Sequence, residues 1–425
     1  MKYTHDVMPV TFGDDFIWGV STSAYQIEGG NPDNDWERGA RQGRWKEACG
    51  AACNHYALYR EDVELLRSLG IPNYRLSIEW SRIQPDATGF DAEATEHYVD
   101  LCRRLVEAGI RPWITLFHFT NPTWFADRGE WHKEGNIDCF LRYVEHIVPK
   151  LAPYAAGWCP INEYNFYAGA PNQPEDHQRL ANYAFNLLLA DAGAYDIIKA
   201  HSTAWCASPM AYLAFAPWRP HDVFDQTMTA YADWVANGWY YHAIRTGELV
   251  YPFTDARYLP QVKGRADFWA VNMYARDMID SRKQSCHGGR YRHAARVLHP
   301  EQQDKPWEFS PEALMNNLLR LTDKPVIVTE NGLATDDDRD RIVYMAQHLA
   351  AFRQAQDLGV DLRGYFHWSL FDNYEWGSYV PKFGLVAYDR ETFVRQPKPS
   401  ARFYRDVIAS NGLDDELLRK YLGEG

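Results

Sequence analysis

The sequence predicts an α/β fold, a single (β/α)8 TIM barrel over residues 1–425 with its active site at the C-terminal ends of the strands. Eight short apolar runs alternate with stretches of helical periodicity, which is the pattern of this barrel. No linker, low-complexity segment or block of like charge divides the chain. A doubly wound sheet is the alternative, but no G-x-G-x-x-G loop follows an early strand. The barrel is therefore the better prediction.

The strands are predicted from apolar or β-branched runs that end at polar residues. In the clearest run, Pro325–Glu330, four such residues follow a proline, a carboxylate ends the run, and Asn331-Gly332 turns the chain away. This pattern is typical of a strand buried on both faces. The strands are expected at Phe16–Ser21, Asn73–Trp80, Arg111–His118, Gly157–Glu163, Ala204–Leu213, Phe268–Tyr274, Pro325–Glu330 and Leu362–Leu370.

The helices are predicted from apolar residues at helical spacing and from the glycines that follow them. Gly70 and Gly109 are such stop signals after the first two helices. The helices are expected at His55–Leu69, Ala92–Glu107, Ile137–Leu151, Leu180–His201, Phe224–Arg245, Glu312–Leu321, Asp340–Asp357 and Ala401–Ala409.

The charge and composition of the chain limit the kinds of partner that it is expected to bind. The net charge of −13 is spread along the chain, which argues against nucleic acid or an anionic membrane. The N-terminal residues do not resemble a signal peptide, and no apolar run approaches the roughly 20 residues that span a bilayer. The seven cysteines are scattered, so we expect buried or idle thiols in a reducing cytoplasm. No pattern predicts an oligomeric state.

The aromatic content, 15% with 16 Trp and 27 Tyr, is high for core packing alone. Most of these side chains are expected in a large core. Trp and Tyr also present flat apolar faces with a polar edge, which suits the stacking of sugar rings or other flat ligands.

The residues at the predicted strand ends indicate acid–base chemistry. Because all strand C-termini of a barrel meet at one face, these side chains are expected to converge there. The set has no metal-ligand spacing and suits a neutral polyhydroxylated substrate. Its members are Glu79-Trp80, His118-Phe119, Asn162-Glu163, Asn272 to Tyr274, Glu330-Asn331, Trp368 and Glu375-Trp376. Taken singly, each has a structural explanation: Arg75 as a buried ion-pair partner, His118 as a core histidine, Trp368 as barrel filling.

Six motifs carry a resemblance that covers nearly the whole chain. In chain order they are Phe16-Ile-Trp-Gly-Val-Ser-Thr-Ser-Ala-Tyr-Gln-Ile-Glu-Gly29, Tyr74-Arg-Leu-Ser-Ile-Glu-Trp-Ser-Arg82, Thr115-Leu-Phe-His118, Asn162-Glu163, Val328-Thr-Glu-Asn-Gly332, and His367-Trp-Ser-Leu-Phe-Asp-Asn-Tyr-Glu-Trp376 with Lys382-Phe-Gly-Leu-Val386. Each motif alone is weak evidence for a family, but the six motifs in this order are specific evidence. With them the chain resembles the retaining β-glycosidases of glycoside hydrolase family 1, the β-glucosidase-like enzymes.

The resemblance implies a role for each catalytic residue. Glu330 would be the nucleophile, held ionised by Arg75 and Tyr274, while Asn272 would support the nucleophile site. Glu163 would be the acid/base, with a pKa raised by poor solvation and by the negative charge of Glu330. Retaining enzymes need these two carboxyl groups only ~5–5.5 Å apart.

The resemblance also implies the sugar contacts and the lack of a cofactor. The residues expected to bind the hydroxyls of the terminal sugar are Gln26, His118, Asn162, Glu375 and Trp376, with Trp368 as the stacking floor. The contact of Asn162 with the 2-hydroxyl is expected to strengthen in the transition state. No cofactor and no metal are expected. The run Asp336-Asp-Asp338 is interpreted as a helix N-cap rather than a calcium site.

The chain departs from the family pattern around the acid/base. Tyr164 stands where proline is usual, Pro160 where threonine is usual, and Phe119 where tryptophan is usual. The connection from Glu163 to the following helix is short, which would open the leaving-group side, and the segment Glu375–Phe383 is one residue shorter than the common pattern.

The expected substrate is a small-molecule β-glycoside or oligosaccharide with an unphosphorylated terminal sugar. Glu375 and Phe383 stand where phosphosugar-specific members hold the phosphate, and a carboxylate there would repel it. The predicted activity is that of an exo-acting β-glucosidase. A β-galactosidase or β-fucosidase preference and transglycosylation are the alternatives within the class. A non-catalytic carbohydrate-binding barrel is the alternative outside it, and it would predict a missing carboxylate.

Overall fold

The computed structural model describes residues 7–31, 33–166, 177–283, 290–292 and 309–423. Its centre is a parallel sheet. We label the barrel strands β1 (Ile17–Ser21), β2 (Asn73–Ser77), β3 (Arg111–Phe117), β4 (Gly157–Ile161), β5 (Trp205–Cys206 and Met210–Ala211), β6 (Trp269–Asn272), β7 (Val326–Asn331) and β8 (Leu362–Trp368).

The two pieces of β5 close the sheet into a barrel. The first piece pairs with β4, where Trp205 lies opposite Gly157, and the second pairs with β6, where Ala211 lies opposite Asn272. Both free edges of the sheet are thus the same stretch of chain, and the remaining strands pair in chain order with β8 against β1. The predicted (β/α)8 barrel is confirmed.

The helices lie between the barrel strands. The long ones are His55–Ser68, Ala92–Glu107, Ile137–Leu151, His177–His201, Val223–Asp233, Trp239–Thr246, Pro311–Leu318, Asp338–Asp357 and Pro399–Ala409, and Asp415–Leu422 follows the last of these. The short ones are Ala24–Glu28, Asp35–Arg41, Trp80–Ile83, Thr123–Asp127, Glu130–His132, Glu134–Asn136 and Ser281–Lys283, with a π-turn at Trp234–Gly238. Smaller strands are Val10–Thr11 with Gly412–Leu413, Glu248–Leu249 with Arg257–Tyr258, Ala214–Pro217 with Arg276–Asp280 and Arg290–Arg292, and Val386–Tyr388 with Arg395–Pro397.

Most predicted elements are confirmed, and the helices Ala92–Glu107 and Ile137–Leu151 match at both ends. The single strand predicted over Ala204–Leu213 is wrong, because the ladder is interrupted between Cys206 and Met210. Pro209 lies in the gap and has no N–H for a ladder bond. Its carbonyl oxygen accepts instead from the backbone N–H of Glu163, at 2.7 Å.

The other predicted ends differ from the structure by at most three residues, and two of the predicted elements change within their ranges. The strand predicted over Asn73–Trp80 ends at Ser77, and Trp80 opens the short helix Trp80–Ile83. The helix predicted over Phe224–Arg245 is interrupted by the π-turn Trp234–Gly238. In both places apolar residues continue on the far side of the boundary, with Ile78 after Ser77 and Trp239 after the π-turn, so periodicity alone gives no stop signal.

Aromatic side chains fill the barrel interior. Trp113 of β3 packs edge-on against Phe366 of β8 with ring centroids 5.4 Å apart, across strands that are not neighbours. Gly157 on β4 allows this packing, because a Cβ there would come within 2.1 Å of the Trp113 ring. The interior is a packed core, and the polar side chains lie at the strand ends.

The run Asp336-Asp-Asp338 caps a helix, as predicted. Asp337 is the N-cap of Asp338–Asp357 and accepts from the backbone N–H of Arg339 at 2.9 Å. Asp338 pairs with Arg341, and Asp336 pairs with Lys382 at 2.8 Å. All three carboxylates therefore have structural partners.

The six cysteines within the described ranges are free thiols, and five of them are buried. None of the helices in these ranges is long and apolar enough to cross a membrane.

Candidate active site

Glu330 lies on β7, where both of its oxygens accept hydrogen bonds. Arg75 of β2 donates from Nη1 to Oε1 at 2.5 Å, and Tyr274, just beyond β6, donates its hydroxyl to Oε2 at 2.5 Å. Arg75 is fully buried and Glu330 is 3% exposed. A buried carboxylate is costly unless it is paired and hydrogen-bonded, and here a cation and a hydroxyl stabilise its charge.

Asn162, just beyond β4, contacts side chains on or directly after three other strands of the barrel. Its Oδ1 accepts from Arg75 Nη2 at 2.6 Å and from Asn272 Nδ2 at 3.2 Å. Its Nδ2 lies 3.2 Å from Nε2 of His118, and because an amide nitrogen only donates, that imidazole nitrogen accepts. The proton of the neutral ring is therefore on Nδ1, which is buried and has no hydrogen-bond partner among the residues that the structure describes. Burial and the charge of Arg75 hold the pKa of His118 well below its usual value.

Glu163 follows Asn162 and has a left-handed backbone with φ = 48°. Asn272 donates from Nδ2 to its Oε1 at 2.8 Å. Burial, followed by the negative charge of Glu330, raises the pKa of Glu163 to about 8. A carboxyl group with this pKa holds its proton at neutral pH and can donate it.

Asn272 is itself held in place by Thr329, whose hydroxyl donates to Asn272 Oδ1 at 2.7 Å. This bond fixes the amide so that its Nδ2 faces Glu163. The sequence analysis missed Thr329, although it lies directly before Glu330. The feature that could have identified Thr329 is a hydroxyl side chain directly after the apolar run Val326–Val328.

A second polar group lies around Glu375. Trp368 donates from Nε1 at 3.1 Å and Asn373 from Nδ2 at 2.9 Å, both to Glu375 Oε1. Burial raises the pKa of Glu375 to about 8, and Gln26 also hydrogen-bonds this carboxyl group. Gln26 is oriented by Ser23, whose hydroxyl donates to its Oε1 at 2.7 Å. Asn373 and Ser23 were not predicted from the sequence.

Trp368 and Trp376 flank His118. The His118 ring lies 6.0 Å from the Trp368 ring at 20° and 5.9 Å from the Trp376 ring at 13°. Trp376 also stacks on Tyr25 at 5.8 Å. Through these contacts and the hydrogen bonds above, all eleven predicted site residues form one connected group.

Glu79 was expected with this group but has a different environment. Ser81 donates to one of its oxygens at 2.5 Å and Thr120 to the other at 2.8 Å. Burial raises the pKa of Glu79 to about 7. None of the eleven site residues donates a hydrogen bond to Glu79. Its two hydrogen bonds connect the segment after β2 to the segment after β3.

Comparison with known proteins shows the family of this chain. The model of glycosyl hydrolase family 1 matches residues 8–413. The chain belongs to this family. It is a glycoside hydrolase of the β-glycosidase class, as the sequence predicted.

Relatives of this family 1 enzyme match it over nearly their full lengths. Beta-glucosidase A of Acetivibrio thermocellus is 32% identical, with 95% of this chain and 99% of the relative covered. A beta-galactosidase of Sulfolobus acidocaldarius is 28% identical, with 96% and 97% covered. Among solved structures, a beta-glycosidase from Pyrococcus horikoshii superposes with a TM-score of 0.89 at 32% identity, covering 98% of this chain and 99% of that one.

The three residues that depart from the family pattern have different surroundings in the structure. Tyr164 is fully buried, and its hydroxyl donates to Asp191 at 3.0 Å. Phe119 has φ = 71° and packs edge-on against Trp376 with centroids 5.0 Å apart. Pro160 lies within β4. Residues 167–176, in the connection predicted to be short, lie outside the described residues.

Proposed function

We propose that this family 1 enzyme is a retaining exo-β-glycosidase that releases terminal β-D-glucose, with Glu330 as nucleophile and Glu163 as acid/base. The observation that carries the proposal is the contrast between the two carboxyl groups. Glu330 accepts from a guanidinium and a phenol, whereas burial and the Glu330 charge raise the pKa of Glu163. One charged and one protonated carboxyl group are what double displacement requires.

In the first step an oxygen of Glu330 attacks the anomeric carbon. The bond from that carbon to the leaving oxygen breaks, and Glu163 gives its proton to that oxygen. The product is a glycosyl ester of Glu330, in which the negative charge of the nucleophile is lost. The pKa of Glu163 then falls, because that charge is one of the causes that raise it.

In the second step Glu163, now ionised, removes a proton from water. The resulting hydroxide attacks the anomeric carbon, the ester bond breaks, and Glu330 returns to its carboxylate. Two inversions at one carbon give a product with the configuration of the substrate. Asn272 contacts both Glu163 and Asn162, so it is well placed to keep the acid/base in register with the sugar 2-hydroxyl.

The remaining site residues support binding of an uncharged hexose. Gln26, His118, Glu375 and Trp376 are proposed to bind its hydroxyls, and Trp368 to stack beneath it. Burial already raises the pKa of Glu375, and a phosphate dianion beside it would oppose its ionisation further. An unphosphorylated sugar is therefore the proposed substrate.

We also propose one catalytic domain that acts in a reducing cytoplasm, which the free thiols support.

β-Galactosidase activity is the second candidate, because one relative carries that name. The test is p-nitrophenol release from β-glucoside, β-galactoside and β-fucoside, with proton NMR of the first sugar formed. Fastest release from the glucoside, with a β-configured initial product, is the expected result. An α-configured initial product would refute retention, and silence on all three sugars from folded protein would favour the non-catalytic barrel. Glycosyl transfer at high acceptor concentration, compared with hydrolysis, measures the transglycosidase alternative.

A further inference from the structure

The segment that carries Glu163 is tied at both ends to one buried carboxylate that the catalytic scheme does not use. Asp191 lies on the helix His177–His201 and is 1% exposed. Tyr164 donates its hydroxyl to Asp191 Oδ2 at 3.0 Å. Ser208 donates its hydroxyl to Asp191 Oδ1 at 2.7 Å.

Ser208 completes a closed ring with the catalytic segment. Its Oγ accepts from the backbone N–H of Ile161 at 2.9 Å. Residues 161–164 form one side of the ring, and the side chains of Ser208, Asp191 and Tyr164 form the other. Asn162 and Glu163 are the two residues between the attachment points, so Asp191 fixes the backbone on both sides of them.

The backbone of Glu163 needs such support. Its φ of 48° lies in the left-handed region, which L-residues other than glycine adopt at a cost. The neighbouring residues supply further ties: Glu163 N–H donates to Pro209 O at 2.7 Å, and Asn165 Nδ2 donates to Ala211 O at 2.8 Å. The interrupted strand β5 thus holds the main chain at Glu163, and Asp191 connects that strand to Tyr164.

We propose that Tyr164 and Asp191 form a positioning pair that sets the orientation of the general acid Glu163. The inference rests on the proposed role of Glu163 and deepens it. Tyr164 acts through the main chain and takes no part in the chemistry. Its place in the sequence, where proline is usual, makes the pair a feature of this chain rather than of the general pattern.

The pair has a kinetic signature in kcat/KM, because this ratio reports the steps up to ester formation, in which Glu163 acts only by protonating the leaving group. A poor leaving group, such as an alkoxide, needs a well-placed proton, whereas 2,4-dinitrophenolate leaves without one. A misplaced acid therefore slows the hydrolysis of alkyl glycosides selectively. A general loss of folding or of sugar binding would slow all substrates alike.

The test compares Tyr164→Phe with Tyr240→Phe. Tyr240 is the matched control: its ring packs edge-on against Tyr164 with centroids 5.6 Å apart, and its buried hydroxyl has no hydrogen-bond partner within the described part of the chain. Rates are measured on β-glucosides with leaving groups from methanol to 2,4-dinitrophenol. Tyr164→Phe is expected to lower kcat/KM for the poorest leaving groups on the order of 10-fold, part of the roughly 10²-fold loss that misplacement can cause, and to leave the dinitrophenyl glucoside nearly unchanged. Tyr240→Phe is expected to change neither.

Two further variants keep the test decisive. Ser208→Ala opens the same ring at its other end, so it is expected to give the same leaving-group-selective loss even if Tyr164→Phe folds poorly. Asp191→Asn combined with Tyr164→Phe is expected to lose less than the sum of the single losses, because both remove one interaction. A loss of kcat/KM that is equal for all leaving groups, or no loss at all, would refute the positioning role of Tyr164 and Asp191. Glu163→Ala in the same series separates this outcome from a failure of the proposed function: if it lacks leaving-group selectivity, the acid/base assignment itself falls.

Discussion

The two carboxyl groups of the candidate active site differ in how the fold holds them. Glu330 lies within strand β7, and its two oxygens accept from Arg75 and Tyr274. Glu163 lies beyond its strand on a left-handed backbone, and among the described residues its donor is one uncharged amide, that of Asn272. The side-chain environment therefore favours charge on Glu330 and a proton on Glu163.

This difference has a physical origin. A cation and a phenol stabilise the ionised form of a buried carboxylate, whereas burial without a cation favours the neutral form. Two chemically identical side chains, at the ends of β4 and β7, thus acquire the opposite properties that a nucleophile and a general acid need. The comparison also predicts which substitution affects which step.

The largest effect is expected for Glu330→Ala. Removing the nucleophile abolishes ester formation, so kcat falls by at least ~10⁴-fold, beyond the loss of acid–base assistance alone. Added azide enters the space left by the carboxylate and attacks the anomeric carbon directly. The expected product, seen by NMR, is an α-glycosyl azide. A β-glycosyl azide would contradict the assignment and would point to Glu163 as the nucleophile.

Glu163→Ala is expected to follow, with a ~10²–10⁴-fold loss in kcat/KM that is confined to poor leaving groups. A 2,4-dinitrophenyl glycoside still forms the ester, since its leaving group needs no proton. The second step then limits the rate, and azide accelerates it to give a β-glycosyl azide. Stopped-flow measurement of the dinitrophenolate burst checks this prediction, and an absent burst would count against it.

Tyr274→Phe removes one of the two donors to Glu330 and leaves Arg75 in place. We expect kcat to fall ~10–10²-fold, near the lower range measured for removal of one preorganised donor. The effect is expected to be similar for good and poor leaving groups, because the nucleophile attacks in both cases. Tyr240→Phe is again the matched control, and selectivity for poor leaving groups would refute the assigned contact.

The smallest effects are expected on the pH profile. Glu163 must be protonated to act as acid, so kcat/KM is expected to fall as the pH rises through about 8. Asn272 donates to the ionised form and thereby lowers the pKa of Glu163, so Asn272→Ala is expected to move the basic limb to higher pH. Glu330→Gln removes a negative neighbour and is expected to lower the pKa of Glu163, which carbon-13 NMR of labelled glutamate can follow. Shifts of the opposite sign would refute the electrostatic account.

The sequence by itself determined the barrel and nearly all of the site. Apolar runs ending in carboxylates and amides are local patterns, and the barrel fold brings all strand ends to one face, so Glu163, Glu330, Asn162 and Asn272 could be placed together without coordinates. The roles proposed for Arg75 and Tyr274 came from the resemblance to the family, since no local pattern links either residue to Glu330.

Only the tertiary structure decided how the acid/base segment is held. The ring through Ser208 and Asp191 joins Tyr164 to residues 27 and 44 positions away along the chain, as the hydrogen-bond partners show. Asp191 lies within a long helix and Ser208 within a strand that was predicted to be continuous. A buried carboxylate with two hydroxyl donors leaves no periodic signal, because its partners are set by packing between elements rather than by spacing within one.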